Sequence, residues 1–584
     1  MNQKDQLSFY SLNCQENREA LKPLRPFIVS IVFSILLAPS VAVGRTQEEE
    51  SWESVAPGIE FREFNLPTPN NVFVARMDRN NTGVALESSI GQGRLSGGGE
   101  TVSGMSARYD GAINYWGQAW GNRNQVAVAI NGYYYNQFTG VPFQGVVHSG
   151  WYSKLFDPCE AGAVSGSGLA WKLDRTLFIG ESVTNAKHDI VYIRDGDDPV
   201  QEFDGINIPR GANQFILYTP QFDQTTKTEG GTDSIEVLVQ MTSPSLINSN
   251  VNFIPRGKIV KIFPNKGSTP IPFDHVVLSM HGTSKAEFEA LGAQAGDEIG
   301  IHQRINKCLD SPTFDWNNTY ASIGGAFYFL KDGVIQGFPD DNQANVRDPR
   351  TAIAYNDSYI YFIVVDGRDK VRSLGMTISE LAQFAKDTLS ATYGVAQDGG
   401  GSSTMVVNGK VVNNTFCNIV TCEGNIYLPL AIRGGGKSQA GGVGAPVPRS
   451  EETPQPAVIS GDGFPLTEAY YEFTQTASGT ILQRLVANGM MMVVVQPKDV
   501  SKIFSLNQSI KTLLDASVRL GPGTNYAVLQ TVPANTPGII YGEDNGLNGV
   551  WAKGAYWWRV LLELPGGIDV IGWVSESYIT VSTP

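Results

Sequence analysis

Charge is scarce in this sequence, and positive charge scarcer still. Asp, Glu, Lys and Arg make up 17 % of the 584 residues, and 57 acidic side chains outnumber 43 basic ones, for a formal charge of −14. No run of Lys and Arg forms a stripe able to follow phosphates along a strand, which excludes nucleic acid as the expected partner. The five histidines are scattered, and the five cysteines include no paired C-x-x-C knuckles, so a zinc centre is not expected. No cysteine has a recognisable partner base, which removes the case for a catalytic thiol. Long apolar runs are missing as well. The N-terminal run, Phe27 to Leu37, falls short of the roughly 20 residues a bilayer-spanning helix needs.

That short run has a different reading. Lys22 and Arg25 precede it and the small residues Ser40-Val41-Ala42 follow, the order of an export signal, here taken as residues 1–42. The mature chain is then expected to be secreted or held at the cell envelope, on the extracellular side, with no stable membrane span after cleavage. Cys14 would leave with the signal. Cys417 and Cys422 bracket a short loop and could close a disulfide in an oxidising compartment, leaving Cys159 and Cys308 as the remaining pairing.

Glycine is abundant by contrast: 63 residues without a collagen-like period, which means many tight turns and a strand-rich protein. Val72–Arg76, Val126–Ile130 and Tyr359–Val365 read as strands, the last two apolar throughout, as in strands buried on both faces. Thr377 and Glu380 make a capping box ahead of Leu381, Phe384, Ala385 and Leu389 at helical spacing. Strand, helix and the apolar Gly394-Val395-Ala396 predict a β-α-β crossover. The fold class expected is α+β, with a strand-rich mixed-sheet domain over 55–433. A linker crowded with Gly, Pro, Ser and Glu follows at 434–456. Residues 457–512, which include Met490-Met491-Met492-Val493-Val494-Val495, take no assignment.

The last stretch, 513–584, carries Ser517-Val518-Arg519-Leu520-Gly521-Pro522-Gly523, Tyr556-Trp557-Trp558-Arg559-Val560 and Gly572-Trp573-Val574. In this it resembles the bacterial SH3-like domain, a small all-β barrel. The resemblance implies a targeting module or a binder of cell-wall peptides, with exposed aromatics such as Tyr526 and Trp551 as ligand contacts.

The chemistry-bearing residues cluster between Arg347 and Asn413. Arg350 opens one apolar stretch, Asp366-Gly367-Arg368 closes another, and Asp398-Gly399-Gly400-Gly401-Ser402-Ser403-Thr404 follows the helix. Three glycines in a row let the backbone approach a ligand at positive φ, and successive N–H groups there can form an anion-binding nest with Ser402, Ser403 and Thr404 adding hydroxyls. No Gly-Lys-Ser/Thr follows, so this is not a Walker loop. Arg350 and Arg368 could grip phosphate oxygens as planar forks, or Arg368 could form an ion pair with Asp366. Two aspartates beside a phosphate could recruit a divalent cation, though no ligand spacing demands one and no cofactor is otherwise called for. His148 could line the cleft, while His275 and His281 bracket a buried apolar strand and read as structural.

These residues stand in the order and spacing of the phosphodiester glycosidase family: Arg350-Thr351-Ala352-Ile353-Ala354, Val365-Asp366-Gly367-Arg368, Gly375-Met376-Thr377 and the Asp398–Met405 run. Asn131-Gly132-Tyr133-Tyr134, Asn207 and Leu217-Tyr218-Thr219-Pro220 match earlier blocks. The chain departs from the family where Gln397 precedes Asp398 in place of leucine, where Tyr133-Tyr134-Tyr135 replaces Gly-Phe-Phe, and in a longer 160–204 segment. The resemblance implies hydrolysis of the bond between an anomeric carbon and a phosphate oxygen, with an N-acetylglucosamine-like sugar. Asp398 is then the base or electrostatic stabiliser and Arg350 the phosphate ligand. Asp366 and Arg368 come next, Asn131 orients the sugar, and Gly399, Gly400, Gly401, Ser402, Ser403 and Thr404 bind substrate. A phosphodiesterase or a polysaccharide hydrolase on the same scaffold, and a non-catalytic envelope-binding protein, are the competing readings.

Overall fold

The structure, a computed structural model, describes residues 51–109, 124–155, 167–243, 254–415, 471–542 and 546–582, less 173, 181–182, 186–187, 195, 197, 304, 308–314, 477–478 and 497–498. The stretches read as an export signal (1–42) and a linker (434–456), and all five cysteines, lie outside these residues. Among the described residues no helix is long and apolar enough to cross a membrane.

Strands dominate. An eight-stranded antiparallel sheet runs in the order Glu53–Ala56, Ile59–Leu66, Asn70–Asp78, Tyr359–Val365, Arg350–Tyr355, Tyr393–Ala396, Leu330–Lys331, Val334–Ile335. Its central strands are buried on both faces, because side chains alternate between two cores. Phe73, Ala75, Phe362 and Val364 enter the main core, while Val72, Val74, Ile363 and Val365 pack under helix Ile378–Leu389 through Leu381 and Ala385. That helix begins with the expected capping box, Thr377 Oγ1 accepting from Glu380 N at 3.1 Å and Glu380 Oε2 accepting from Thr377 N at 3.0 Å. The crossover forms with one strand in between. Tyr359–Val365 and Tyr393–Ala396 each pair antiparallel with Arg350–Tyr355, so they run parallel to one another.

A five-stranded sheet closes the other side of the main core, in the order Lys410–Val411, Met405–Val407, Asn124–Asn131, Asn488–Val495, Val84–Ile90. Its fourth strand comes from the stretch that takes no assignment in the sequence. Met490 and Met492 fill the main core and Met491 and Val493 the opposite face, all at most 1 % exposed. The strand pairs with Val84–Ile90 on one side and Asn124–Asn131 on the other, so the folded body draws a central strand from beyond the linker.

A second eight-stranded sheet, spanning Val200–Phe203 to Gly205–Ile206 through Ser234–Met241 and His275–His281, has its own core. The C-terminal sheet curls around Val518, Val560, Val574 and Ile510, and already begins at Ser509–Thr512. It docks on the body through Phe273, whose ring meets Trp573 at 5.4 Å and Tyr526 at 5.9 Å, both edge-on. Arg559 Nη2 donates to Asp274 Oδ2 at 2.5 Å across the seam. Tyr526 is therefore not exposed as expected: it is half-buried against the body.

Candidate active site

Where strand Tyr393–Ala396 ends, the chain turns through Asp398 into a 3-10 turn, Gly400–Ser402. Asn131, at the end of its own strand, holds this turn at both ends. Its Nδ2 donates to the Asp398 carbonyl at 2.7 Å, and its Oδ1 accepts from Thr351 Oγ1 at 2.8 Å and Thr404 N at 3.2 Å. The side chain is fully buried. Asn131 thus positions the Asp398 turn, and the expectation that it orients a sugar gives way to that role. Asn131-Gly132-Tyr133 is itself clamped from the late strand: Asn488 Oδ1 accepts from Tyr133 N at 2.6 Å, and a Cβ on Gly132 would lie 1.8 Å from that same oxygen.

Asp398 is 8 % exposed, and its Oδ2 accepts from Ser402 Oγ at 2.6 Å. Burial pushes the carboxyl up to about 6, against the opposing pull of Ser402, the nearby Arg484 guanidinium and the Gly399 N–H. A carboxyl tuned to that range exchanges protons near neutral pH. The Tyr134 phenol lies in the same field. Burial first, then the charge on Asp398, raises it well above an ordinary tyrosine, so it stays a neutral donor.

The glycines are required by contact. A Cβ on Gly399 would meet Pro349 O at 2.7 Å, and Gly400, at φ +61°, sits against Arg368 Nη2 and Asp348 Oδ2. The nest expected of their N–H groups is largely spent inside the protein. Gly400 N donates to Pro349 O, Ser402 N to Gly399 O, Ser403 N to Gly400 O and Thr404 N to Asn131. Two buried hydroxyls remain, Ser403 Oγ and Thr404 Oγ1, which take no partner among the described residues.

The arginines also differ from their expected parts. Arg350 is 6 % exposed; its Nε donates to Met376 O at 2.7 Å and its Nη2 to Gln343 O and Val346 O at 2.7 and 2.5 Å. With Nε and Nη2 taken by backbone carbonyls, neither edge of the guanidinium is free to grip phosphate as a fork, and only Nη1 is left to a ligand. Arg368 pairs in bidentate fashion with Asp348, at 2.6 and 2.9 Å, not with Asp366. Asp366 is buried under the far end of the turn. Its oxygens accept from Asn413 Nδ2 and from Asn414 N and Nδ2 at 3.1–3.2 Å, and Asn413 passes the connection on to Ser403 O at 3.0 Å. Burial pushes the Asp366 carboxyl up to about 6 as well. Its oxygens are occupied by amides, and among the described residues no group of three or more His, Cys, Asp or Glu is placed to hold a metal ion.

One cation near Asp398 is invisible to motif reading. Arg484 ends strand Gly479–Arg484, beyond the linker, and its guanidinium stands 5.8 Å from the Tyr135 ring centre. Among the described residues it takes no hydrogen-bond acceptor, and its charge is felt by Asp398. The histidines are structural in their contacts. His148 Nδ1 lies 2.8 Å from Ser88 O, its ring held down to about 4 chiefly by burial, and His275 Nδ1 lies 2.8 Å from Asp274 Oδ1.

Residues 249–423 match the family model described as phosphodiester glycosidase, and residues 515–580 that of the bacterial SH3 domain. No curated protein matches the chain. Among solved structures, it is similar to a hypothetical protein from Synechocystis (16 % identity, TM-score 0.39), covering 62 % of this chain and 60 % of that one. A putative exported protein from Burkholderia pseudomallei aligns at 17 % identity and TM-score 0.39, over 72 % of this chain and 74 % of that one. The catalytic domain of zebrafish N-acetylglucosamine-1-phosphodiester alpha-N-acetylglucosaminidase, auto-inhibited by its pro-peptide, aligns at 14 % identity and TM-score 0.30, over 63 % and 81 %. The chain thus spans less than two thirds of the Synechocystis protein.

Proposed function

We propose that this chain, which carries a phosphodiester glycosidase region and a bacterial SH3 domain, hydrolyses a sugar-1-phosphodiester outside the cytoplasm, with an N-acetylglucosamine-like sugar leaving as the free sugar. The observation that carries the reading is the buried Asp398 carboxyl, tuned to about 6 and fixed by Ser402 and Asn131 on a glycine turn. As base it takes a proton from water while the water oxygen bonds to the anomeric carbon. The bond from that carbon to the phosphate oxygen breaks, its electron pair leaving with the phosphate monoester. Phosphate is a good leaving group, so the larger demand is to hold the charge that gathers on it. Arg484, whose guanidinium takes no hydrogen-bond acceptor among the described residues, is assigned that task, helped by the remaining Arg350 Nη1 and the neutral Tyr134 phenol. Asn131, and Asp366 through Asn413, hold the turn that presents Asp398.

The test is hydrolysis of a panel of N-acetylglucosamine phosphodiesters and UDP-N-acetylglucosamine in ¹⁸O-water, by the mature chain and by Asp398→Asn and Arg484→Ala. Label in the free sugar, with turnover falling about 10²–10⁴-fold in Asp398→Asn, is the expected result. Label in phosphate would make the enzyme a phosphodiesterase. No turnover by the folded parent chain on any member would remove this reading.

A further inference from the structure

The seam between the body and the C-terminal barrel encloses a cavity of about 440 Å³, within the size range of small-ligand sites, and no residue of the Asp398 turn lines it. Both sides build its wall: Arg94, Trp151, Gln221 and Gln224 from the body, Asn525 and Tyr526 from the barrel. We propose that this seam cavity is a second binding site, for an uncharged saccharide unit.

The charge pattern of the wall supports that class. Its formal charges are already matched. Asp223 accepts from Ser96 Oγ at 2.6 Å and pairs with Lys227 and with Arg94 Nη1 at 3.4 Å. Arg108 is held by Glu100 at 3.0 Å, Ile90 O and Ser89 Oγ, and Asp274 by Arg559 and His275. A charged ligand would have to break one of these pairs to be neutralised, whereas hydroxyls, which donate and accept at once, can join them. The wall also carries the side-chain amides of Gln221, Gln224 and Asn525, each able to donate and to accept. Trp151 and Tyr526 add ring surface for the apolar face of a pyranose.

A peptide fits this wall less well. Peptides laid along a sheet edge are held by free main-chain groups, but two N–H groups of the barrel loop facing the cavity are already paired: Leu520 N donates to Ala527 O at 3.0 Å and Tyr526 N to Gly523 O at 3.2 Å. What is left to offer is side-chain amides and rings.

The test uses the mature chain carrying Asp398→Asn, to suppress turnover, with chitotriose as the saccharide probe and pentaglycine as the peptide probe. Dissociation constants are measured by ligand-observed NMR titration. Saturable chitotriose binding is expected, weakened at least fivefold by Gln221→Ala and, separately, by the exposed Asn525→Ala. Adding Arg484→Ala should leave it unchanged. No saturable chitotriose binding, binding indifferent to both seam substitutions, binding lost with Arg484→Ala, or binding of pentaglycine in its place would each overturn the assignment. None of these outcomes depends on whether Asp398 is the base.

Discussion

Replacing Arg559 with methionine keeps a side chain of similar length and removes the guanidinium, which lies over the Trp573 ring at 4.8 Å and holds the barrel to the body. The Asp274 side chain is 0 % exposed and that of Arg559 3 %, so the carboxylate left behind cannot turn to water. In the intact chain Arg559 and then His275 outweigh burial and hold Asp274 far below the usual carboxylate range. Its ionic bond therefore stabilises the fold at every pH above the ordinary carboxylate value and is lost only in strong acid. Breaking such a buried pair costs about 3–5 kcal/mol, or roughly 10²–10³-fold and more in the equilibrium of any motion that opens the seam. Hydrogen exchange read by mass spectrometry on peptides covering 270–281, 516–527 and 555–564 gives that factor directly. Arg559→Met should speed exchange there by this amount while leaving strand Tyr359–Val365 unaffected. The double variant Asp274→Asn/Arg559→Met should recover part of the loss, since no bare charge then remains. Exchange in Arg559→Met within threefold of the parent at neutral pH, with no recovery in the double variant, would refute the reasoning.

Further outcomes are expected at Asp398 and at Gly132. If Asp398 acts as base, kcat/KM should rise with pH through about 6, and Ser402→Ala, which removes a bond that favours the carboxylate, should move that limb to higher pH. The raised carboxyl also means that Asp398 stabilises the fold at low pH and ceases to do so as pH rises through about 6, so Asp398→Asn should fold at least as well as the parent at pH 7. In Gly132→Ala the new Cβ meets Asn488 Oδ1 at 1.8 Å, an atom fixed by Tyr133 N. Thermal denaturation should show a loss of about 1–3 kcal/mol, partly relieved by Asn488→Ala.

Local signals in the sequence translated faithfully. The capping box of Thr377 and Glu380, the apolar spacing behind it and the two doubly buried strands each depend on neighbours within a few residues, and all three formed. The glycine run after Asp398 marked a tight turn for the same reason, since contacts at Gly399 and Gly400 admit no side chain. What failed to show depended on partners distant in sequence. An arginine beside a conspicuous motif reads as a phosphate fork, but nothing nearby tells that Met376, Gln343 and Val346 turn their carbonyls toward Arg350. Arg368 lies two residues from Asp366, yet at φ +63° its side chain leaves the strand line and finds Asp348. The run Met490–Val495 is apolar enough to be a buried strand, but its neighbours belong to pairings more than 350 residues away in the chain. Arg484, borne by the same stretch, carries no motif at all.

That late strand also sets an order of events. Among the described residues Val84–Ile90 has no other partner in its sheet, and Asn124–Asn131 has one other, until Asn488–Val495 slides between them. A chain leaving the ribosome from its N-terminus therefore carries two facing, unpaired strand edges while everything up to residue 487 is made. Long-range closure of this kind is slow, and the open slot is a template for any passing strand, including one from another copy. The same slot ties together stretches on either side of residues 434–456. A recombination event that exchanged the C-terminal barrel at the 434–456 linker would carry the closing strand away with it, so the barrel cannot be traded without also supplying a strand that fits the gap.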